Sequence, residues 1–160
     1  MATPEFVLSL REKIGTAPLW LAGVTAVVVR GDEVLLVRRA DTGAWTPVTG
    51  IVDPGEHPSD AAVRETLEEA DLRVSAERLA SIGVTREVVY ANGDRAQYLD
   101  HTFVMSYVSG EPSPADGENT DARWFARDAL PEMSADMRRR IAVGLDDRVA
   151  ARFGPVDPGT

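Results

Sequence analysis

The stretch from residue 50 to residue 72 constrains this chain more than any other, because it combines a turn with a helix that carries acidic residues on one side. At about 100° per residue, Glu65, Glu68 and Glu69 fall within an arc of about 100°. The opposite side carries an apolar stripe that is expected to pack on a core, formed by Val63, Leu67 and Ala70. The sequence therefore predicts a helix with one buried face and one charged face.

Three carboxylates on one helical face have two interpretations. The ordinary interpretation is a solvated helix face, because on an exposed helix like charges at this spacing cost only about a few tenths of a kcal/mol per pair. Here, however, Gly50, Glu56 and Arg64 stand at fixed distances before the glutamates. With this composition, a chance match at all six positions has a probability of roughly a few in a hundred thousand. The register therefore favours a metal site.

The segment resembles the signature of the Nudix hydrolases, G-x5-E-x7-R-E-U-x-E-E-x-G-U, in which U is a bulky aliphatic residue. The matching residues are Gly50, Glu56, Arg64, Glu65, Glu68, Glu69 and Leu72. Two residues depart from it. The hydroxyl of Thr66 can bond to a carbonyl one turn earlier, which makes it tolerable in a helix. Asp71 stands where glycine usually ends the helix, and an anion there is expected to cost about 1 kcal/mol.

The resemblance implies an α/β/α sandwich with a mixed central sheet over roughly residues 20 to 150. It also implies a hydrolase that uses Mg²⁺, or Mn²⁺ in its place, to cleave a phosphoanhydride bond in a nucleoside diphosphate linked to another group, X. Nucleoside triphosphates and ADP-ribose-like compounds both remain open as substrates. The alternative is a nucleotide-sensing module without turnover, which usually loses signature glutamates.

The resemblance further assigns roles within the motif. Glu65, Glu68, Glu69 and the carbonyl group of Gly50 are expected to bind the metal. Glu65, Glu69 and Arg64 belong to the expected catalytic set, and Glu56 is expected to support it through a salt bridge with Arg64. The general base is left open between a helical glutamate, Glu65 or Glu69, and a glutamate on a later loop. Glu118, which precedes the strand of Trp124, is the candidate on that loop.

The substrate contacts are less strongly indicated. Arg38 and Arg39 end a predicted strand, and either can bind a phosphate group bidentately, although such arginines are often merely solvated. Tyr90 is a candidate for stacking on a base, and a position in the core or at its rim is the alternative. Asp100 interrupts an apolar strand, where an unpaired charge is costly, so it is expected to face the substrate cleft.

Charge and composition limit the class of partner. A net charge of −9 argues against a nucleic-acid polymer as the ligand, because binding such a polymer requires basic surface. A small phosphorylated nucleotide remains compatible through a bound cation. The chain lacks cysteine, which disfavours the related prenyl diphosphate isomerases, and it has neither a signal-like start nor a membrane-length apolar run. We therefore expect a cytoplasmic protein that does not enter a membrane, with a homodimer as an open possibility.

The element pattern predicts one domain. A helix from Thr3 to Gly15, two strands at 24–30 and 33–39, and the acidic helix starting at Pro58 come first. Strands at 79–90, 96–109 and 122–125 and a helix at 134–152 follow. We expect an N-terminal helix and linker at 1–19, the hydrolase-like domain at 20–153 and a flexible tail at 154–160.

Overall fold

In the computed structural model, which describes residues 3–153, a mixed sheet forms the centre of the molecule. The tail predicted at 154–160 lies outside the described residues. In chain order the elements are α1 (Glu5–Ile14), β1 (Leu19–Arg30), β2 (Glu33–Arg39), β3 (Trp45–Thr46), β4 (Val48–Ile51), α2 (Pro58–Ala70), β5 (Arg73–Val84), β6 (Val88–Val89), β7 (Arg95–Ser109), β8 (Asn119–Ala126), α3 (Ala135–Gly144) and β9 (Arg152–Phe153).

The sheet has the strand order β3-β2-β1-β7-β5-β9, with β4 paired to β1, β6 to β7 and β8 to β2. The pairs β1–β7 and β5–β9 are parallel, and the other pairs are antiparallel. β1 has two partners along one edge. Its residues 23–26 pair with β4, whereas its last two residues pair with β2. β4 and β2 therefore pair with successive parts of β1.

The alternation of side chains along β1 separates the two faces of the sheet. Val24, Ala26 and Val28 belong to the cluster that contains α2 residues, whereas Val27 packs with Ile141 of α3. At Gly144 of α3, an added Cβ would lie 2.8 Å from Val27, so the helix approaches the sheet closely. The two helices therefore cover opposite faces, and the predicted α/β/α sandwich is confirmed.

The N-terminal helix packs on the same domain. Val7 of α1 is buried in a cluster with Leu21 of β1 and Ala96 of β7. Arg11 fixes the end of the helix, because its guanidinium donates to the carbonyl oxygens of Gly15 at 3.0 Å and Arg95 at 2.7 Å. Within residues 3–153, no helix combines the length and the apolar character that crossing a bilayer requires.

The largest differences from the predicted element boundaries are in β5 and α3. β5 begins at Arg73 and ends at Val84, six residues earlier at each end than predicted, and its ladder with β7 contains three register shifts. These irregularities obscure the alternation on which strand prediction depends. The last helix ends at Gly144 although apolar spacing continues to Val149. Arg78 of β5 donates to the carbonyl oxygen of Gly144 at 3.0 Å, which supports the early helix end.

Candidate metal and active site

The acidic helix buries two of its glutamates. Glu65 and Glu69 are 0% and 1% exposed, whereas Leu67 is 43% exposed. The prediction that Leu67 belongs to the buried stripe and the glutamates to an outer charged face was wrong. The helix turns its small residues inward, Ala61, Ala62 and Ala70, and these allow it to approach the sheet closely enough to enclose the two carboxylates.

Gly50 makes room for one of these carboxylates. A Cβ atom at this position of β4 would lie 2.1 Å from Cδ of Glu65, well inside van der Waals contact. The glycine is needed for space and not for an unusual backbone angle, since its φ is not positive. The structure thus places the Glu65 side chain directly against the backbone whose carbonyl group is expected to bind the metal.

Arg64 links the preceding loop to the helix. Its Nε and Nη2 donate to the two carboxylate oxygens of Glu56 at 2.9 and 2.8 Å, so the expected ion pair is present and is bidentate. Nη1 donates to Oε1 of Glu65 at 2.9 Å and to Oε2 of Glu68 at 3.2 Å. The guanidinium holds the pKa of Glu56 below its usual range. One arginine therefore fixes three signature glutamates.

The two buried carboxyls have raised pKa values. Burial raises the pKa of Glu65 to about 8, an effect that the nearby Arg64 only partly opposes. Burial likewise raises the pKa of Glu69 to about 7, against the hydrogen bond from Asn119. Because an ion loses its hydration in such a place, each carboxyl needs a proton or a cation to balance its charge.

The donor set at this point fits a divalent cation. Among the described residues, Oε2 of Glu65 and Oε1 of Glu69 are buried and have no hydrogen-bond partner. Hard cations prefer carboxylate oxygens of this kind. In the same part of the chain, no three acidic or imidazole side chains are grouped as a ready metal site. Glu68 points to Arg64 instead, so it would have to release that contact to become a third ligand.

The first residue of β8 also reaches the site. Asn119 is 4% exposed, and its Nδ2 donates to Oε2 of Glu69 at 3.0 Å. Sequence reasoning missed it, because Asn119 stands before the strand predicted at 122–125; its place directly after Glu118 is the available signal. Glu118 itself is half-buried, and its carbonyl oxygen accepts from the backbone N–H of Ala40 at 2.8 Å.

The two candidate arginines lie on opposite faces. Side chains alternate along β2, where Val37 packs on the α2 side and Leu36 on the α3 side. Arg39 therefore faces the acidic helix, and its charge opposes a small part of the rise that burial causes in the pKa of Glu69. Both Nε and Nη2 of Arg39 donate to Asp41 at 3.1 Å. Arg38 is exposed, on the other face, and donates to a loop carbonyl.

Tyr90 and Asp100 differ in their surroundings. Tyr90 follows β6, is 43% exposed and lies with its hydroxyl 2.5 Å from that of Tyr98. Asp100 is buried, and its oxygens accept hydrogen bonds from Arg140 at 2.9 Å and from Thr25 and Thr102 at 2.8 Å each. Contrary to expectation, these protein donors hold Asp100 on the α3 side, away from Glu65 and Glu69.

The chain is similar to known proteins over most of its length. Residues 20–143 match the sequence profile of the NUDIX domain. Two similar proteins are each called NAD-capped RNA hydrolase NudC. The one from Pseudomonas aeruginosa (strain LESB58) is 38% identical over 135 residues, and the one from Pseudomonas fluorescens (strain Pf-5) is 34% identical over 139 residues. Each match covers 82% of this chain but 45% of the relative, so the chain spans about half the length of these relatives.

Solved structures share the fold. An ADP-ribose pyrophosphatase from Streptococcus suis superposes with a TM-score of 0.67 at 23% identity, over 84% of this chain and 98% of that one. A MutT NUDIX hydrolase from Burkholderia pseudomallei gives a TM-score of 0.60 at 27% identity, over 78% of this chain and 97% of that one. The sandwich described above is thus the architecture of these proteins.

Proposed function

Because this chain belongs to the NUDIX family, we propose that it is a metal-dependent hydrolase that cleaves a phosphoanhydride bond in a nucleoside diphosphate linked to another group, X. The observation that carries the proposal is the pair of buried carboxylates, Glu65 and Glu69, each with one oxygen that has no hydrogen-bond partner among the described residues. A protein that only needed a stable helix would gain nothing from two such groups, since burying an unpaired carboxylate is costly.

Glu65 and Glu69 would hold Mg²⁺ or Mn²⁺, with Glu68 and the carbonyl group of Gly50 as further proposed ligands. A bound divalent cation supplies positive charge that offsets the phosphate oxygens and favours attack by water. The ion pair between Glu56 and Arg64 keeps the loop after β4 fixed to α2. It therefore preserves the close approach of the Glu65 side chain to Gly50.

The general base is proposed to be Glu118. Its backbone is fixed at the end of β2 by the hydrogen bond from Ala40, and its neighbour Asn119 contacts Glu69 directly. A carboxylate on this loop can approach the attacking water without also having to bind the metal. Glu65 and Glu69 are the alternative bases. Glu118→Gln should lower kcat by about 10²- to 10⁴-fold with little change in Mn²⁺ affinity if Glu118 is the base.

On the substrate side, Arg39 is proposed to bind a phosphate group. Its side chain lies on the face of the sheet that α2 covers. A phosphate group can replace Asp41 as its bidentate partner. Tyr90 lies exposed on the hairpin between β6 and β7, where it is available for stacking on a base. Arg38 and Asp100 are not part of this proposal, because neither faces the acidic helix.

The proposed substrates are nucleoside triphosphates and dinucleotides of the ADP-ribose type. The relatives named for NAD-capped RNA add NAD and NAD-capped RNA to the compounds that have to be tested. They also weaken the expectation that a nucleic-acid polymer is excluded. The net charge of −9 still favours a small dinucleotide over the RNA body as the main recognised part.

A substrate panel tests the proposal. Product release from nucleoside triphosphates, ADP-ribose, NAD, a UDP-sugar and an NAD-capped RNA would be measured with Mg²⁺ and with EDTA. Hydrolysis of at least one compound should require the metal and should fall by roughly three orders of magnitude in Glu69→Gln. If no compound is cleaved while nucleotide binding persists in that variant, the chain is a binding module.

A further inference from the structure

Asn119 is a buried amide that the signature does not include. It begins β8, and its Nδ2 donates to Oε2 of Glu69 at 3.0 Å. An ionised carboxylate can only accept hydrogen bonds, so the nitrogen of the amide must be the atom that faces Glu69. The amide oxygen is therefore available to another partner.

That amide oxygen is itself without a partner. Within residues 3–153, Oδ1 of Asn119 is buried and accepts no hydrogen bond, as is also true of Oε1 of Glu69. Buried polar atoms are nearly always satisfied, by protein, by water or by an ion. These two oxygens, on side chains that are hydrogen-bonded to each other, therefore both lack the partner that burial normally requires.

A bulge in the sheet brings Asn119 to this face. Arg38 pairs with Asp121 across the ladder between β2 and β8, but Arg39 pairs with Asn119, so Thr120 is an extra residue. Regular alternation from Ala122, which belongs to the cluster around α2, would direct position 120 toward the acidic helix. The extra residue shifts the alternation by one position, so the side chain of Asn119 faces the acidic helix in place of that of Thr120.

The surrounding backbone holds the bulge in place. The N–H of Ala40 donates to the carbonyl oxygen of Glu118 at 2.8 Å. The hydroxyl of Thr120 donates to the carbonyl oxygen of Arg38 at 3.3 Å. Thr120 is exposed, whereas Asn119 is 4% exposed. The strand is therefore built so that the amide, and not its neighbour, reaches Glu69.

We propose that Asn119 is a positioning residue of the metal site: its Nδ2 fixes Oε2 of Glu69, which leaves Oε1 for the cation, and its Oδ1 supplies one further neutral oxygen to the cation or to its water shell. This inference rests on the proposed function, in that it takes the cation to be the one that Glu65 and Glu69 hold. Neutral amide oxygens are ordinary ligands of such cations.

The test is the affinity of the full chain for Mn²⁺ alone, measured by calorimetry and by the EPR signal of free Mn²⁺. Asn119→Leu keeps the branched shape of the side chain and removes both polar atoms, and it should weaken Mn²⁺ binding by about 10- to 100-fold, the usual effect of such a partner. Asn119→Asp retains an oxygen but loses the Nδ2 donor to Glu69, so it should weaken Mn²⁺ binding by less than Asn119→Leu does. Thr120→Ser keeps the hydroxyl that donates to the carbonyl oxygen of Arg38, so it is the matched control and should bind as wild type does.

Two outcomes would overturn the inference. The first is a Mn²⁺ affinity of Asn119→Leu equal to that of wild type, and the second is equal weakening in Asn119→Leu and Asn119→Asp, which would leave Oδ1 without a role. If Asn119→Leu does not fold, as judged by circular dichroism, Asn119→Ala, which also removes both polar atoms, replaces it under the same criteria. Mn²⁺ binding needs no turnover, so the two proposals can fail separately. If the wild-type protein hydrolyses a substrate and Asn119→Leu binds Mn²⁺ as tightly as wild type, only this inference is rejected. Asn119-dependent binding without any hydrolysis rejects the proposed function only.

Discussion

Replacing Gly50 by alanine should damage both the stability of this protein and its proposed metal site. The new Cβ would lie 2.1 Å from Cδ of Glu65 and 2.2 Å from its Oε1, more than 1 Å closer than a normal contact. Glu65 therefore has to move, and overpacking of this kind costs about 1–3 kcal/mol. Moving the carboxylate also removes a proposed ligand, so Mn²⁺ affinity should fall by at least about tenfold.

Gly83 provides a matched control for this substitution. It also lies in a strand, β5, without a positive φ, and a Cβ added there meets nothing within 4 Å. Gly83→Ala should leave the free energy of unfolding unchanged within about 0.5 kcal/mol. Urea unfolding and Mn²⁺ calorimetry on both variants provide the comparison. The reasoning is refuted if Gly50→Ala unfolds at the same urea concentration as Gly83→Ala and binds Mn²⁺ equally well.

Three other predictions concern single residues. Among the described residues, Asp71 is the non-glycine residue with a positive φ, 54°, and it ends α2 with an anion near the helix C-terminus. Asp71→Gly should raise the free energy of unfolding by about 1 kcal/mol, the relief of backbone strain and charge less the extra entropy of glycine; thermal unfolding would check it, and a lower melting temperature would contradict it. Arg39→Ala should raise KM about tenfold or more for a cleaved nucleotide, whereas Arg38→Ala should not, and equal effects on KM would remove Arg39 from the site. The third concerns pH: Glu65 has a pKa of about 8 when folded against 4.5 in a model compound, so the metal-free folded state holds a proton that the unfolded state loses. Stability of EDTA-treated protein should therefore fall as pH rises from 5.5 to 7.5, by roughly 2–3 kcal/mol for one carboxyl. Glu65→Gln should flatten this slope, and urea unfolding that is independent of pH in wild type would contradict the assignment.

The signature predicted the contacts within the loop before α2 and within α2 itself, because the residues that make them are close together in the sequence. Pro58 begins α2 as expected, and Arg64 pairs with Glu56 eight residues earlier. The hydroxyl of Thr66 donates to the carbonyl oxygen of Ala62 at 2.7 Å, which explains how a polar residue is tolerated at a buried position. Each of these contacts depends on the turn and the helix alone.

Contacts between distant parts of the chain were not predictable in the same way. Asp100 finds its partner, Arg140, on a helix that follows 40 residues later, and no local pattern reveals such a pair. A single extra residue in β8 decides that Asn119 reaches Glu69. The predicted sidedness of α2 was wrong for Leu67 and the two buried glutamates, although Ala70 is buried as expected, for a related reason. The argument from apolar periodicity assumes that carboxylates seek water, whereas a metal site requires them to leave it.

The most direct test of the central claim is a crystal structure of the protein with Mn²⁺, in which anomalous scattering locates the ion. We predict a peak at about 2.2 Å from both Oε2 of Glu65 and Oε1 of Glu69, the two buried oxygens without hydrogen-bond partners in the described part of the chain. A well-ordered site without a peak at these two oxygens, or a peak bound only by other residues, would contradict the account.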